Sequence, residues 1–292
     1  MSARKLARLY DDLGRFQWWR RRLVGQGPGE GLEMHKRLRS DGPGGVDLTN
    51  LNGWIWKQLG ALDPTWTPEN ILDLGAGFGA TLFDWAQHAP GARLTGLGLS
   101  PYQLAKARGE ARRLGLDTRA GFQLCDNAEF AGRGFDLLVS IETLFHAKDL
   151  AATFESLVQR LRAGGRLVLV EDMLNEPAGR AQAAVKPLTT LWSTPTLHTV
   201  EDYRDALHEA GLTLEAEHDL SAWVCCGDLS GFPGRRAKLQ RWLAVCPLPP
   251  LREVLRAFLG GLYLEELHAL GAMSYRAWFV RLSGADPREH GA

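Results

Sequence analysis

Apolar residues recur along this chain in two rhythms, a helical one near each end and short strand-like runs between. Residues 1–27 place Leu6, Leu9, Tyr10, Leu13, Phe16, Trp19 and Leu23 on one helical stripe. Gly25-Gln26-Gly27-Pro28-Gly29 ends that helix. Shorter helices are predicted over Leu32–Leu38 and Leu48–Leu59, with a break at Asp41-Gly42-Pro43-Gly44-Gly45. From residue 70 strands are predicted at Asn70–Leu74, Arg93–Leu97, Ala120–Leu124, Phe135–Ser140, Arg166–Val170, Thr213–His218 and Ser274–Leu282. Helices at Thr81–His88, Pro101–Leu114, Leu150–Leu161 and Val200–Ala210 fall between them, the third closed by a left-handed turn at Ala163-Gly164-Gly165. This alternation predicts an α/β fold with a parallel, doubly wound sheet. The apolar run within Phe135-Asp136-Leu137-Leu138-Val139-Ser140 suits a strand covered on both faces.

The stretch between the last two strands is too long for a bare loop and includes a predicted helix at Leu251–Leu270. The chain therefore divides into an N-terminal helical cap (1–66), a core (67–218), a helical insertion (219–273), and a final strand with tail (274–292). Residues 286–292 read as a frayed tail. The insertion is apolar, with Trp242, Leu243, Val245, Leu248, Leu251, Val254, Leu255 and Phe258, which suits a lid over an apolar ligand and equally a homodimer contact.

Composition narrows the partners. The chain has 292 residues, 45% of them hydrophobic, enough for a sizeable core. Its 34 basic and 34 acidic side chains cancel, so a nucleic-acid partner is not expected. No apolar run reaches about 18 residues, so no membrane span is expected. The cysteines at 125, 225, 226 and 246 make no C-x-x-C pair, and nothing signals a required metal. Met1-Ser2-Ala3-Arg4-Lys5 does not open a secretory pattern, and a reducing, cytoplasmic location is expected.

The chemistry-bearing segment is Ile71-Leu72-Asp73-Leu74-Gly75-Ala76-Gly77-Phe78-Gly79, a buried strand running into a glycine-rich bend. Gly75, Gly77 and Ala80 also satisfy the loose dinucleotide pattern, which leaves an NAD(P)-dependent oxidoreductase as an alternative. Three later segments follow at matching distances. They are Cys125-Asp126-Asn127-Ala128, then Ser140-Ile141-Glu142-Thr143-Leu144-Phe145-His146-Ala147-Lys148-Asp149, then Leu161-Arg162-Ala163-Gly164-Gly165-Arg166-Leu167.

Together these segments resemble the class I S-adenosylmethionine (SAM)-dependent methyltransferases of small molecules. The resemblance implies a Rossmann-like, seven-stranded sheet whose last strand is antiparallel. It implies a SAM site built from Asp73, Gly75, Ala76, Gly77, Gly79, Gly98, Leu99, Gln103, Asp126, Asn127, Ala128 and Ile141. The glycines would pass under the amino-acid end of SAM, and Asp126 would accept from the adenine amino group. Gly98 stands where most members carry an acid for the ribose, a gap that also counts against NAD. The segment Gly96-Leu97-Gly98-Leu99-Ser100-Pro101-Tyr102-Gln103 instead resembles the cyclopropane-synthase variant, in which the glutamine reaches the ribose. The tail, with Gly271, Tyr275 and a final strand, resembles tocopherol-type and sterol-type enzymes.

If the acceptor carries a proton, a base must remove it. His146 follows the fourth strand, at the ligand-binding end of such a sheet, and is the first candidate. Asp172 is its expected acidic partner, as in the sugar O-methyltransferases this region resembles, with Glu171 as the alternative and Glu142 as a ligand-holding or capping group. His35, Trp192 and Trp223 are candidate acceptor contacts. The reading is methyl transfer from SAM, with S-adenosylhomocysteine (SAH) as product, to oxygen or carbon of a small, mostly apolar metabolite. An N-methyltransferase of a small amine and an inactive SAM-binding partner protein remain as alternatives.

Overall fold

The computed structural model describes residues 3–25, 32–36, 38–41 and 48–283. The tail 286–292 and most of the two predicted glycine breaks lie outside the described residues. Sixteen segments build the chain: α1 (Ala3–Leu23), α2 (Leu51–Leu62), β1 (Asn70–Asp73), α3 (Ala80–His88), β2 (Arg93–Gly98), α4 (Pro101–Arg113), β3 (Ala120–Leu124), β4 (Phe135–Ile141), α5 (Leu150–Val158), β5 (Leu161–Leu174), α6 (Val185–Trp192), α7 (Val200–Glu209), β6 (Leu212–Asp219), α8 (Phe232–Val245), α9 (Pro249–Ala269) and β7 (Met273–Leu282).

The strands form one sheet in the order β3-β2-β1-β4-β5-β7-β6. Neighbours among β1–β5 run parallel, and β7 lies antiparallel between β5 and β6. This is the Rossmann-like sheet with a reversed last strand that the motifs imply. Register follows the apolar positions: Ile71 faces Leu94 on one side and Leu137 on the other, Val139 faces Val168, and Val168 faces Phe279. Successive residues of β4 serve opposite faces. Leu137 and Val139 pack with residues of α2, α3 and α4, whereas Leu138 packs with Leu150, Phe154 and Leu157 of α5 and Tyr203 of α7. Burial on both faces is why β4 tolerates no polar alternation.

A third apolar cluster lies beyond this sandwich, where Leu188 of α6 meets Leu264 and Leu267 of α9. α1 reaches the same region, with Phe16 edge-on to Phe258 of α9 at 5.7 Å. Its other half is tied to the core by Asp11, whose carboxylate accepts from Ser100 Oγ and from the Tyr102 amide. The N-terminal 66 residues thus divide: α1 lies against α4 and α9, while α2 packs on the sheet through Trp54, Ile55 and Leu59.

Two local expectations are corrected, and two helices had no counterpart among them. The described part of Leu32–Leu38 is not helical. Its amides serve tertiary partners, with Lys36 N–H donating to Glu142 and Leu38 bridging Val224. So short a segment cannot offset helix nucleation alone. The Gly164 turn does not close a helix. α5 stops at Val158, and Gly164 (φ 73°) kinks the first residues of β5, where the pairing with β4 shifts register. α6 escaped notice because it is only eight residues long and carries Pro187 in its first turn. α8 escaped because most of it stays in solvent and carries no apolar period.

The α6–α9 contact depends on a missing side chain. A Cβ on Gly260 would collide with the indole of Trp192, whose Nε1–H donates to Ala257 O at 2.9 Å. Gly260→Val should therefore cost about 1–3 kcal/mol, read as a lower melting temperature with a red-shifted tryptophan emission. An unshifted melt would show that the indole has an alternative seat.

Candidate active site

Loops after the parallel strands converge at the carboxyl edge of the sheet, the place where open α/β sheets bind ligands. A cavity of about 1840 Å³ opens there, walled by these loops and by α1, α8 and α9. The first loop needs its glycines for different reasons. Gly77 (φ 52°) and Gly79 (φ 86°) adopt left-handed backbone. Gly75 does not, but a Cβ there would strike Thr143 Oγ1. Gly75 and Gly77 line the cavity, whereas Asp73, Ala76 and Gly79 lie behind it. Asp73 is buried and accepts from the Gly75 amide at 3.2 Å; burial pushes its carboxyl up to about 7. Gly79 leaves room for Phe83 and Phe122.

The next two loops supply Gly98, Leu99 and Gln103, then Asp126, Asn127 and Ala128, all on the cavity wall. Ser100 caps α4 by accepting from the Gln103 amide at 3.1 Å. The Gln103 side chain is buried under α1, where its Nε2 donates to Tyr10 O at 3.2 Å. Gly14 of α1 makes that approach feasible, since a Cβ would lie 2.8 Å from Gln103 Cγ. Asp126 accepts from the Ala128 amide at 3.1 Å, which orders the turn and leaves its second oxygen free of that bond.

The loop after β4 is the most constrained. Ile141 and Glu142 line the cavity, and Glu142 is left-handed at φ 52°, a strained state for a residue with a side chain. Glu142 Oε1 accepts from the Lys36 amide at 2.8 Å and lies 3.7 Å from Lys36 Nζ. Glu171 does not line the cavity, contrary to its expected catalytic part. Its Oε1 accepts from Ser140 Oγ (2.8 Å), Thr143 N (3.0 Å) and Leu144 N (2.9 Å), so it caps the turn that Glu142 was expected to cap. Complete burial pushes the Glu171 carboxyl up to about 8.

The expected pair of His146 and Asp172 does not form. His146 faces the cavity, but both ring nitrogens are engaged, Nε2 with Tyr10 Oη at 3.1 Å and Nδ1 with Thr194 Oγ1 at 3.3 Å. Burial pushes its imidazole down to about 4, so it stays neutral and weakly basic near pH 7. Asp172 instead bonds His268 Nε2 at 2.7 Å through Oδ1 and holds the Lys36 ammonium through Oδ2. Burial alone would raise the Asp172 carboxyl; Lys36 and His268 outweigh it and hold it below its ordinary value. Burial would likewise lower Lys36, but Asp172 and Glu142 turn the balance upward. The ammonium also sits 4.9 Å over the Tyr275 ring.

His35 and Trp192 line the cavity as expected. Trp223 does not: its indole donates to Asp41 O, and its carbonyl accepts from Arg39 N–H at 2.9 Å, so it seats the 38–41 segment. Tyr10, Lys36 and His268 are the cavity groups that sequence reasoning missed. Tyr10 lay in the α1 stripe and Lys36 beside His35, but no spacing signal connects His268 to a carboxylate 96 residues away.

An open sheet in this order, with a reversed seventh strand and a glycine-bend cavity at its carboxyl edge, defines a class I SAM-dependent methyltransferase fold. Residues 72–167 match the family model described as a methyltransferase domain. It is 30% identical over 154 residues to methyltransferase GfsG of Streptomyces halstedii, covering 52% of this chain and 55% of that one. It is 28% identical over 170 residues to the 27-O-demethylrifamycin SV methyltransferase of Amycolatopsis mediterranei, covering 57% and 62%. The chain thus spans little more than half the length of these curated relatives. A solved geranyl diphosphate methyltransferase, bound to GPP and sinefungin, superposes with a TM-score of 0.70 at 18% identity, covering 96% of this chain and 98% of that one.

The Glu171 cap is testable apart from catalysis. Glu171→Gln keeps an acceptor for the two amides, whereas Glu171→Ala strands both and should cost about 2–4 kcal/mol. The native carboxyl is raised in the folded state, so its stabilising protonation is lost as pH rises from the ordinary glutamate range through about 8. The melting temperature of Glu171→Gln should therefore gain on the native protein across that window and then hold level. A constant gap would exclude a raised carboxyl.

Proposed function

We propose that this chain transfers a methyl group from SAM to oxygen or carbon of a small, mostly apolar metabolite of secondary metabolism, releasing SAH. The observation that carries this reading is one continuous cavity that joins the glycine bend to a roomy apolar compartment under α1 and α9. The residues present fit the donor. Gly75 and Gly77 offer bare backbone at one end of the cradle, and Asp126, Asn127 and Ala128 offer a carboxylate and amides for an adenine at the other. Gln103 spends its amide nitrogen on Tyr10 O, leaving its carbonyl oxygen to accept from ribose hydroxyls beside the acid-free Gly98. When bound, SAM supplies an electrophilic methyl carbon on a sulfonium. The chain has to align an acceptor with that carbon and exclude water.

The acceptor compartment has Leu9, Leu13, Phe16, Trp192, Phe258 and Leu262 on its walls, which favours an apolar body. The relative named for 27-O-demethylrifamycin SV supports a natural-product acceptor. Zero net charge favours a small molecule over a polyanion. Among the described residues no helix is long and apolar enough to cross a membrane. All four cysteines are free, in keeping with a cytoplasmic setting. Exposed Trp242, Val245 and Leu248 on α8 and the turn after it are where a homodimer contact would form.

Calorimetry with SAM, SAH and NAD tests this reading. SAM and SAH should bind and NAD should not. Gly77→Val, strained at φ 52° and adding bulk to the cradle, should lose about 100-fold or more in SAH affinity while still melting cooperatively. Binding of NAD in place of SAH, or an unweakened Gly77→Val, would refute the assignment.

A further inference from the structure

Resting on the methyl-transfer reading, we propose that His268 is the proton-accepting catalytic residue, oriented by Asp172 and Lys36, and that the acceptor is a hydroxyl compound methylated on oxygen. His268 was not among the sequence candidates, and it stands on a different element from the loops that carry them, in the last turn of α9. Its side chain is 2% exposed and lines the cavity. Nε2 is bonded to Asp172 Oδ1, and Nδ1 is buried with no protein partner. A carboxylate only accepts, so Nε2 carries the hydrogen and Nδ1 presents its lone pair. A buried acceptor left unpaired is costly unless a ligand donates to it. An O–H group is a donor of that kind, and it reaches Nδ1 once a neighbouring side chain gives way, since that atom is sealed in the empty cavity.

Lys36 is an ammonium set between two carboxylates, Asp172 and Glu142, so the cluster around His268 holds one cation against two anions. The carbonyl end of α9 also favours positive charge at its last turn. His146 lacks both features, since its two nitrogens are taken by Tyr10 and Thr194. Lys36 acts as a positioning residue. It claims Oδ2 of Asp172, which leaves Oδ1 for the imidazole.

The step balances. The acceptor oxygen forms its bond to the methyl carbon as the carbon–sulfur bond of the donor breaks, and the hydroxyl proton passes to Nδ1 of His268. The positive charge that leaves sulfur reappears on the imidazolium, and the proton goes to solvent after product release. A neutral amine has a reactive lone pair and needs no such base; a hydroxyl does.

His268→Gln preserves an N–H donor for Asp172 and removes the basic nitrogen. Calorimetry with SAH should show near-native affinity, which establishes a folded, loaded protein. Methyl transfer to phenol should fall about 10²–10³-fold, with a much smaller fall for the more acidic p-nitrophenol, and imidazole should partly restore His268→Ala. Independently of turnover, the native SAH complex should shift bound p-nitrophenol toward its coloured anion, and His268→Gln should not. Losses equal for both phenols, no ionisation of p-nitrophenol by the native complex, or turnover confined to amines or carbon nucleophiles would overturn the proposal and leave the methyl-transfer reading standing. Failure to bind SAH would instead remove the reading beneath it.

Discussion

A single buried carboxyl group, that of Glu171, sets the shape of the reaction end of the sheet. It gathers Ser140 and the amides of Thr143 and Leu144 onto one oxygen. That grip fixes Thr143, and Thr143 is what forbids a side chain at Gly75. It also leaves Glu142, the residue just before, in a left-handed conformation that no residue with a Cβ adopts freely. The glycine bend after β1 and the strained corner after β4 are therefore one construction. Strain of this sort persists only where neighbouring bonds over-determine it, and here the neighbours are three donors on one oxygen of a group sealed from water.

The second construction joins elements far apart in sequence. Lys36 precedes the sheet, Glu142 follows β4, Asp172 lies in the neighbouring parallel strand β5, and His268 lies in the last turn of the helix before the last strand. Each ionised group is buried at a desolvation cost that only its partners offset. The segment 32–41 is held by the same bonds, with Leu38 and Arg39 joined to Trp223 and Val224. Order in that segment and order in the charge cluster are thus mutually dependent.

Legibility in the sequence tracked how local the cause was. β3 was read at its full bounds and β1, β2 and β4 nearly so, because short apolar runs bounded by turn residues mark the strands of a covered sheet. The glycine bend and the Asp126 turn were legible because backbone geometry dictates their residue types. Leu32–Leu38 looked helical because apolar spacing cannot reveal that the Lys36 amide would be claimed by Glu142 from the loop after β4. The pairing of Asp172 with His268 rather than His146 escaped for the same reason. Proximity to a motif is visible in sequence, but a pairing between Asp172 and a helix end beyond an insertion is not. α8 was invisible because a helix that buries little has little pattern to show.

Tyr10 occupies an unusual station in this arrangement. Its carbonyl receives the Gln103 amide on the nucleotide side of the cavity, while its hydroxyl meets His146 on the other. One residue of α1 thereby spans both compartments, separated by no more than its own length. Displacing that turn of α1 would disturb both contacts at once, because both hang on the same residue.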